Sequence, residues 1–410
     1  MSTSYRIYNA LRNKMRGAFV RLRYPFSPSS FKQKPLWEIG EGKGAFHKIS
    51  EERQLEIKPS RYFGRSTTAT AKFRYIPFQW YAVIRDAIVY NPSLAITSGG
   101  ILWQQETVTE LPYISAGYSN YFSIKNDIVI FNVKYTLHSA LKTGALIAHR
   151  TGFNYLHAFC DVLSKITMLD AIDPDKKIPA IIDTSVSPSI AGLVIDFLGG
   201  RKYITLPANC KMAVEELYVF SIPAYMPDDH HFDVTAAIIS PDCIRQLAER
   251  LKIIPNQTIP LLFVSRTKYA QMHAANYNVR NVINHNLLDD ALGKLNAEVL
   301  YPEEHGWREQ CEKFAAADRI VLVAGAACAN LIFCRPGTKV LILARNDNQN
   351  YGFFSLMMDA LGLDYAWLLG KVINHEELHS SYTIEPEDLS KGLHWLMTGA
   401  ANWDGMIEVK

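Results

Sequence analysis

No two of the six cysteines (Cys160, Cys210, Cys243, Cys311, Cys328, Cys334) form a CxxC pair, and most sit in apolar surroundings. The spacing excludes a zinc ribbon and reads as reduced core thiols of a cytosolic protein. No apolar run approaches the ~20 residues a membrane-spanning helix needs. The opening MSTSYRIYNALRNK has basic residues but no apolar stretch after them, so it does not read as a secretory signal. Acidic residues are missing from positions 1–34, which instead carry Arg6, Arg12, Lys14, Arg16, Arg21, Arg23, Lys32 and Lys34. Against a chain total of +3, those eight bases leave the remainder at −5. Basic charge this local argues against a nucleic-acid surface spread over the fold. A GxGxxG turn with a downstream acid is also lacking, which sets a dinucleotide oxidoreductase aside.

What is present describes a soluble globular α/β protein. The 410 residues exceed one ordinary core, and 48% apolar with 20% charged residues is a globular composition. We divide the chain into a basic N-terminal segment and linker (1–35), an N-terminal domain with a β-rich start (36–230) and a C-terminal domain (231–410). Ile7, Tyr8, Leu11, Met15, Phe19 and Leu22 fall on one face of a helix with arginines around them. Such a helix fits an anionic membrane surface through residues 1–23, or packing on its own domain. Residues 80–90 and 127–133 have strand composition, and 144–149 reads as a further strand. Strands at 179–182 and 202–206 flank a helix closed by Gly199-Gly200, the alternation of a parallel sheet. Ser240-Pro241-Asp242 marks a helix start.

Three stretches carry candidate chemistry. Asn154 is a good N-cap, and the helix it opens places His157 and Asp161 four residues apart on one face. Facing a cleft, that pair could serve as acid and base, and away from one it is a local histidine and a surface aspartate. Residues 320–323 and 339–343 are short apolar runs typical of strands buried on both faces. Between them, residues 324–327 are small, and a small-residue turn before a helix offers free N–H groups to a phosphate. Residues 259–264 read as another buried strand ending in Ser265-Arg266-Thr267-Lys268, which makes Arg266 a candidate diphosphate clamp. Asp228, Asp229, His230 and His231 do not build a convincing metal site, because adjacent histidines point apart in extended chain.

Five pieces then fall in one order: Asn154-Tyr155-Leu156-His157; Ser265-Arg266; Arg280-Asn281-Val282-Ile283-Asn284; Glu309-Gln310; and VAGAACANLIF followed by Pro336-Gly337-Thr338. In that order they resemble glycosyltransferase family 61, over about residues 150 to 390. The family has N-Y-x-H, a strand ending in Ser-Arg, R-R-x-x-N, E-Q, G-P-H-G-A-G-L-T-N-x-x-F and P-G-T. It includes eukaryotic O-linked N-acetylglucosaminyltransferases, plant xylan pentosyltransferases and bacterial proteins of capsular polysaccharide synthesis. Gly325, Ala326, Asn330 and Phe333 match the long block. Two departures stand out: the family's histidine falls on Ala324, and an acid after the P-G-T strand falls on Ile342.

The resemblance implies a GT-B-like fold, two Rossmann-like domains facing across a cleft. It implies an inverting, metal-independent transfer from a nucleotide-diphosphate sugar to a glycan or lipid-linked glycan, with no bound cofactor and a UDP-sugar as co-substrate. His157 and Asp161 would be catalytic. Arg266, Arg280, Glu309, Gly325, Ala326, Ala327 and Asn330 would hold the donor, with Asn154 and Tyr155 on the acceptor side. The expected setting is bacterial surface or capsular polysaccharide synthesis, in the cytoplasm or peripheral on the inner membrane face. Ala324 and Ile342 keep open a non-catalytic glycan- or nucleotide-binding subunit, and the same plan would also suit a sugar-nucleotide epimerase.

Overall fold

The computed structural model describes residues 30–40, 42–56, 58–65, 69–70, 73–76, 78–91, 93–104, 122–125, 128–131, 134–149, 152–222, 224–225, 238–272, 281–347, 351–375, 380–406 and 408–409. The basic stretch 1–23, Arg280 and the Asp228 to His231 interval lie outside them.

Two large sheets organise the described chain. In the first, Phe122–Lys125, Ile128–Phe131, Ser30–Pro35, Ile101–Gln104, Ala95–Ser98 and Trp80–Tyr90 lead to Cys210–Phe220, Thr136–Leu146, Ala180–Asp183 and Tyr203–Leu206. Trp80–Tyr90 pairs antiparallel with Cys210–Phe220, Ala87 opposite Val214. From Cys210–Phe220 onward the pairing is parallel, with Leu146 beside Val219 and Ile181. Ser187 caps the helix Pro188–Leu198 at one end, and Gly199, at φ 55°, ends it at the other. Only the left-handed region gives that reversal, and glycine enters it without strain.

The second sheet runs Glu298–Leu300, Leu262–Val264, Arg319–Val323, Lys339–Arg345, Asp364–Val372, Arg61–Gly64 and Gly405–Met406, parallel in every pairing but the last. Its central strands are buried almost throughout, as their unbroken Val, Leu and Ile runs require.

Several boundaries differ from those read in the sequence. Ser30–Pro35, in the stretch read as linker, is a strand paired to Ile101–Gln104 and Ile128–Phe131. Its prolines and serines hid an extended segment whose bonding is entirely long-range. Arg61–Gly64 comes from the N-terminal part yet lies beside Asp364–Val372, Tyr62 opposite Trp367, so the sheets do not divide the chain at residue 230 alone. The strand read at 144–149 is the end of Thr136–Leu146, and the one read at 259–264 is paired as Leu262–Val264, with an isolated bridge at Ile259. Residues 326–333 form a 3-10 helix.

One hydrophobic cluster spans both sheets. It holds Ala145 and Ile182 of the first, Leu262, Leu322, Ile342 and Trp367 of the second, and Phe159, Leu163 and Ile166 between them. The helical stretch carrying Phe159 therefore sits where the sheets meet. Among the described residues no helix is long and apolar enough to cross a membrane.

Candidate active site

The site begins at the helix that Asn154 opens. Asn154 is extended (φ −86°, ψ 129°), and its side-chain oxygen accepts the Leu156 N–H at 3.0 Å. Tyr155–His157 is α-helical, Ala158–Leu163 is a π-helix and Ser164–Ile172 resumes the α-helix. Single π-turns of this kind gather at functional positions because they re-aim one side chain. Here the π-turn contains Asp161, fully buried, whose Oδ2 lies 2.7 Å from His157 Nδ1. His157 is 13% exposed at its side chain, which leaves Nε2 as its remaining polar atom. A carboxylate on Nδ1 fixes the tautomer in which Nε2 can take a proton.

His149 joins this pair. It lies beyond the carboxyl end of Thr136–Leu146, is 8% exposed, and its Nδ1 is 3.6 Å from the same Asp161 oxygen. The two imidazoles are 6.5 Å apart, centre to centre. Sequence reasoning placed His149 at the end of a strand and went no further. Its distance from Asp161 along the chain concealed the contact.

The second part of the site is the carboxyl edge of the second sheet. Arg266 follows Leu262–Val264, and Gly325 follows Arg319–Val323, one strand over. The Arg266 guanidinium lies against Gly325, where an added Cβ would collide with its NH1, and 5.2 Å from the Tyr269 ring centre. Gly325 is extended (φ 166°), so it is the space, not the backbone angle, that calls for glycine. Because the colliding atom is the end of a flexible side chain, Gly325→Ala is expected to fold normally and to swing Arg266 aside. Nucleoside diphosphate affinity should then fall about 10–100-fold, the size of one charge-assisted contact. Titration calorimetry of Gly325→Ala beside Arg266→Ala checks this, and unchanged affinity in both variants would remove the clamp.

A hydrogen-bond chain ties the two parts together. Tyr155 OH donates to Asn330 Oδ1 at 2.9 Å, and Asn330 Nδ2 donates to Gln310 Oε1 at 2.9 Å. Gln310 Nε2 donates to the carbonyls of Pro302 at 2.7 Å and His305 at 2.9 Å. Burial pushes the Tyr155 hydroxyl far above its ordinary range, with Cys311 adding to the shift, so it stays a neutral donor. Phe159 meets Phe333 edge-on at 5.6 Å beside this chain. Asn330 is wholly buried, which makes its role one of joining elements, not of touching a ligand.

The structure thus brings together His157 with Asp161, Tyr155 with Asn330, and Arg266 with Gly325. Ala326 and Ala327 are half-buried at the start of the 3-10 segment. Glu309 stands apart: 52% exposed at its side chain, it pairs with His305 Nδ1 at 2.7 Å and lines a cavity with Ile253, Asn256, Gln257 and Lys313. Its neighbour Gln310 is the inward member of that pair. Asn284 clasps the Ile384 backbone, donating at 2.7 Å and accepting at 3.0 Å, a structural duty. Ala324 and Ile342 are both in the core. Among the described residues no three His, Cys, Asp or Glu side chains gather as a metal-holding group.

The arrangement is that of an α/β protein with a buried histidine–aspartate pair on the helical stretch after its first sheet and an arginine–glycine contact at the carboxyl edge of its second. Residues 155–341 match the family model described as Glycosyltransferase 61, which supports membership of glycosyltransferase family 61. The matched span contains His157, Asp161, Arg266, Gln310, Gly325 and Asn330. No curated protein matches the chain. Among solved structures it is similar to the bacterial iron-containing dodecameric glycosyltransferase TibC from enterotoxigenic E. coli H10407, at 7% identity over 72% of this chain and 83% of that one. The TM-score of 0.25 is too low to place that protein's residues on this chain.

Proposed function

We propose that the protein transfers a sugar from a nucleotide-diphosphate sugar, a UDP-sugar in the first instance, to a hydroxyl of a glycan or lipid-linked glycan. The observation that carries this reading is the His157–Asp161 pair, packed through Tyr155 and Phe159 onto the segment that follows Gly325, the glycine Arg266 lies against.

His157 Nε2 takes the proton of the acceptor hydroxyl as its oxygen bonds to the donor's anomeric carbon. The bond from that carbon to the diphosphate breaks, and the diphosphate leaves with the electron pair. Asp161 stabilises the imidazolium that forms. Arg266 and the N–H groups after Gly325 offset the leaving charge. One displacement inverts the anomeric centre, and these groups can do the work without a metal. The two-sheet plan is read as GT-B-like, with Arg280 and Glu309 assisting at the donor side and Asn154 at the acceptor side. The proposed setting is the cytoplasmic face of a bacterial membrane, in surface or capsular polysaccharide synthesis, with residues 1–23 as the peripheral contact.

A second reading, a non-catalytic binding subunit, is favoured by the burial of Ala324 and Ile342 where the family has a histidine and an acid. Both readings are tested by thermal unfolding against nucleoside diphosphates and nucleotide sugars with EDTA present. A single specific nucleotide at 100 times its Kd should add about 2.7 kcal/mol. Selective stabilisation followed by turnover supports the transferase, selective stabilisation without turnover on any glycan supports the binding subunit, and no stabilisation removes the donor site.

A further inference from the structure

Lys165 is completely buried, which is rare for an ammonium because desolvation penalises its charge. It lies four residues beyond Asp161, as Asp161 lies four beyond His157, with Asp161 in the π-turn Ala158–Leu163 and Lys165 in the α-helix that follows. Its Nζ donates to the Ala148 carbonyl at 3.1 Å, and Ala148 precedes His149, whose ring reaches Asp161. Four chargeable groups from two elements thus converge where the sheets meet.

The remaining neighbours add little charge. Cys160 precedes Asp161, and Cys243 faces it from the helix Pro241–Arg250. Burial raises both thiols, Cys243 to about 12, so both stay protonated. Arg245, Glu249 and Arg250 of that helix are exposed, and Asp242 pairs with Arg53 and Arg245. Asp196, on Pro188–Leu198, pairs with Arg308. The 3-10 segment Ala326–Phe333 brings only Cys328.

Asp161 alone would favour an imidazolium on whichever histidine it touches, and a protonated His157 cannot accept a proton. We propose that Lys165 is a positioning residue for the His157–Asp161 pair: its buried ammonium balances the Asp161 carboxylate, so that His157 and His149 stay neutral and His157 remains a base. The proposal rests on the reading of His157 as that base. It adds a group that touches no substrate and sets the protonation state of one that does.

The test reads the imidazole directly. Full-length protein labelled at histidine is titrated by NMR, with His157 assigned from the signals lost in His157→Gln. In Lys165→Met the His157 midpoint should rise by about one pH unit or more, a tenfold gain in proton affinity. The acid limb of kcat/KM should move up with it, and Lys165→Arg should restore both. Asp161→Asn keeps the lysine and removes its counter-charge, so its His157 midpoint should fall below the ordinary imidazole value of about 6.5. Lys165→Gln, which keeps a donor for the Ala148 carbonyl without the charge, should raise the midpoint in the same way and decides the matter where Lys165→Met does not fold. A lower melting temperature in Lys165→Met with an unmoved midpoint would overturn the proposal, and so would a midpoint near 6.5 in Asp161→Asn. The imidazole midpoints need no turnover, so failure of the base assignment, seen as full turnover in His157→Gln, is a separate result.

Discussion

His157→Ala lowers kcat by about 10²–10⁴-fold, the usual worth of a positioned general base, and leaves nucleotide-induced stabilisation in place. The two effects separate because the residues lie on different elements: His157 on the capped helix after the first sheet's Thr136–Leu146, Arg266 and Gly325 on the carboxyl edge of the second. The ring is half-buried and lies near the helix start, so its loss should not unfold the protein. Asp161→Asn should cost nearly as much in kcat, because an amide can donate to Nδ1 and trap the tautomer that has its proton on Nε2. Steady-state rates on a glycan acceptor, beside thermal shifts with the donor nucleotide, check both variants. Full turnover in His157→Ala would end the base assignment. Lost stabilisation would instead mean that the pair belongs to the donor site.

What could be read from the chain was whatever depends on neighbours a few residues away. The strand Trp80–Tyr90 was legible from its aromatic and β-branched composition, and the helix at Pro241–Arg250 because Ser240, Pro241 and Asp242 each favour a helix start. The His157–Asp161 pair was legible from its four-residue spacing. The rest depends on contacts that spacing cannot express. Arg61–Gly64 is four residues long and takes its place from a strand some 300 positions later. His149 meets Asp161 only because Thr136–Leu146 ends where the helix passes, and Lys165 reads as an ordinary surface lysine until its burial is seen. Gln310 and Glu309 are adjacent in an E-Q pair, and only the packing of Trp307–Ala316 shows which one turns inward.

Arg201→Met should be the most destabilising single change outside the site. The Arg201 side chain has no exposure, and its two terminal nitrogens bond Asp173, Asp170, and the carbonyls of Ile178 and Asp173. It thereby joins the end of Ser164–Ile172 to the entry of Ala180–Asp183, the frame on which the His157 helix rests. Asp170 keeps a second partner, Arg250, at 2.7 Å. Asp173, 7% exposed, is left with no cation and only the Lys177 and Ile178 N–H groups, and breaking a buried pair from one side costs about 3–5 kcal/mol. Replacing Asp173 as well, in Arg201→Met with Asp173→Leu, should recover much of that loss, since the uncompensated charge goes with it.

The pH dependence has a definite sign. Burial alone would raise the Asp173 carboxyl, but the Ile178 and Lys177 N–H groups and Arg201 outweigh it and hold it below the ordinary carboxylate range. A depressed carboxylate stabilises the fold fully above its unfolded value of about 3.9 and ceases to do so as pH falls through the lower folded value. Urea unfolding at pH 7 and again below pH 4 should therefore show wild-type stability dropping in acid, and a smaller drop in Arg201→Met. A single-variant loss under about 1 kcal/mol at pH 7 would place this arginine with surface ion pairs of little consequence, and the frame beneath the His157 helix would then rest on its apolar packing alone.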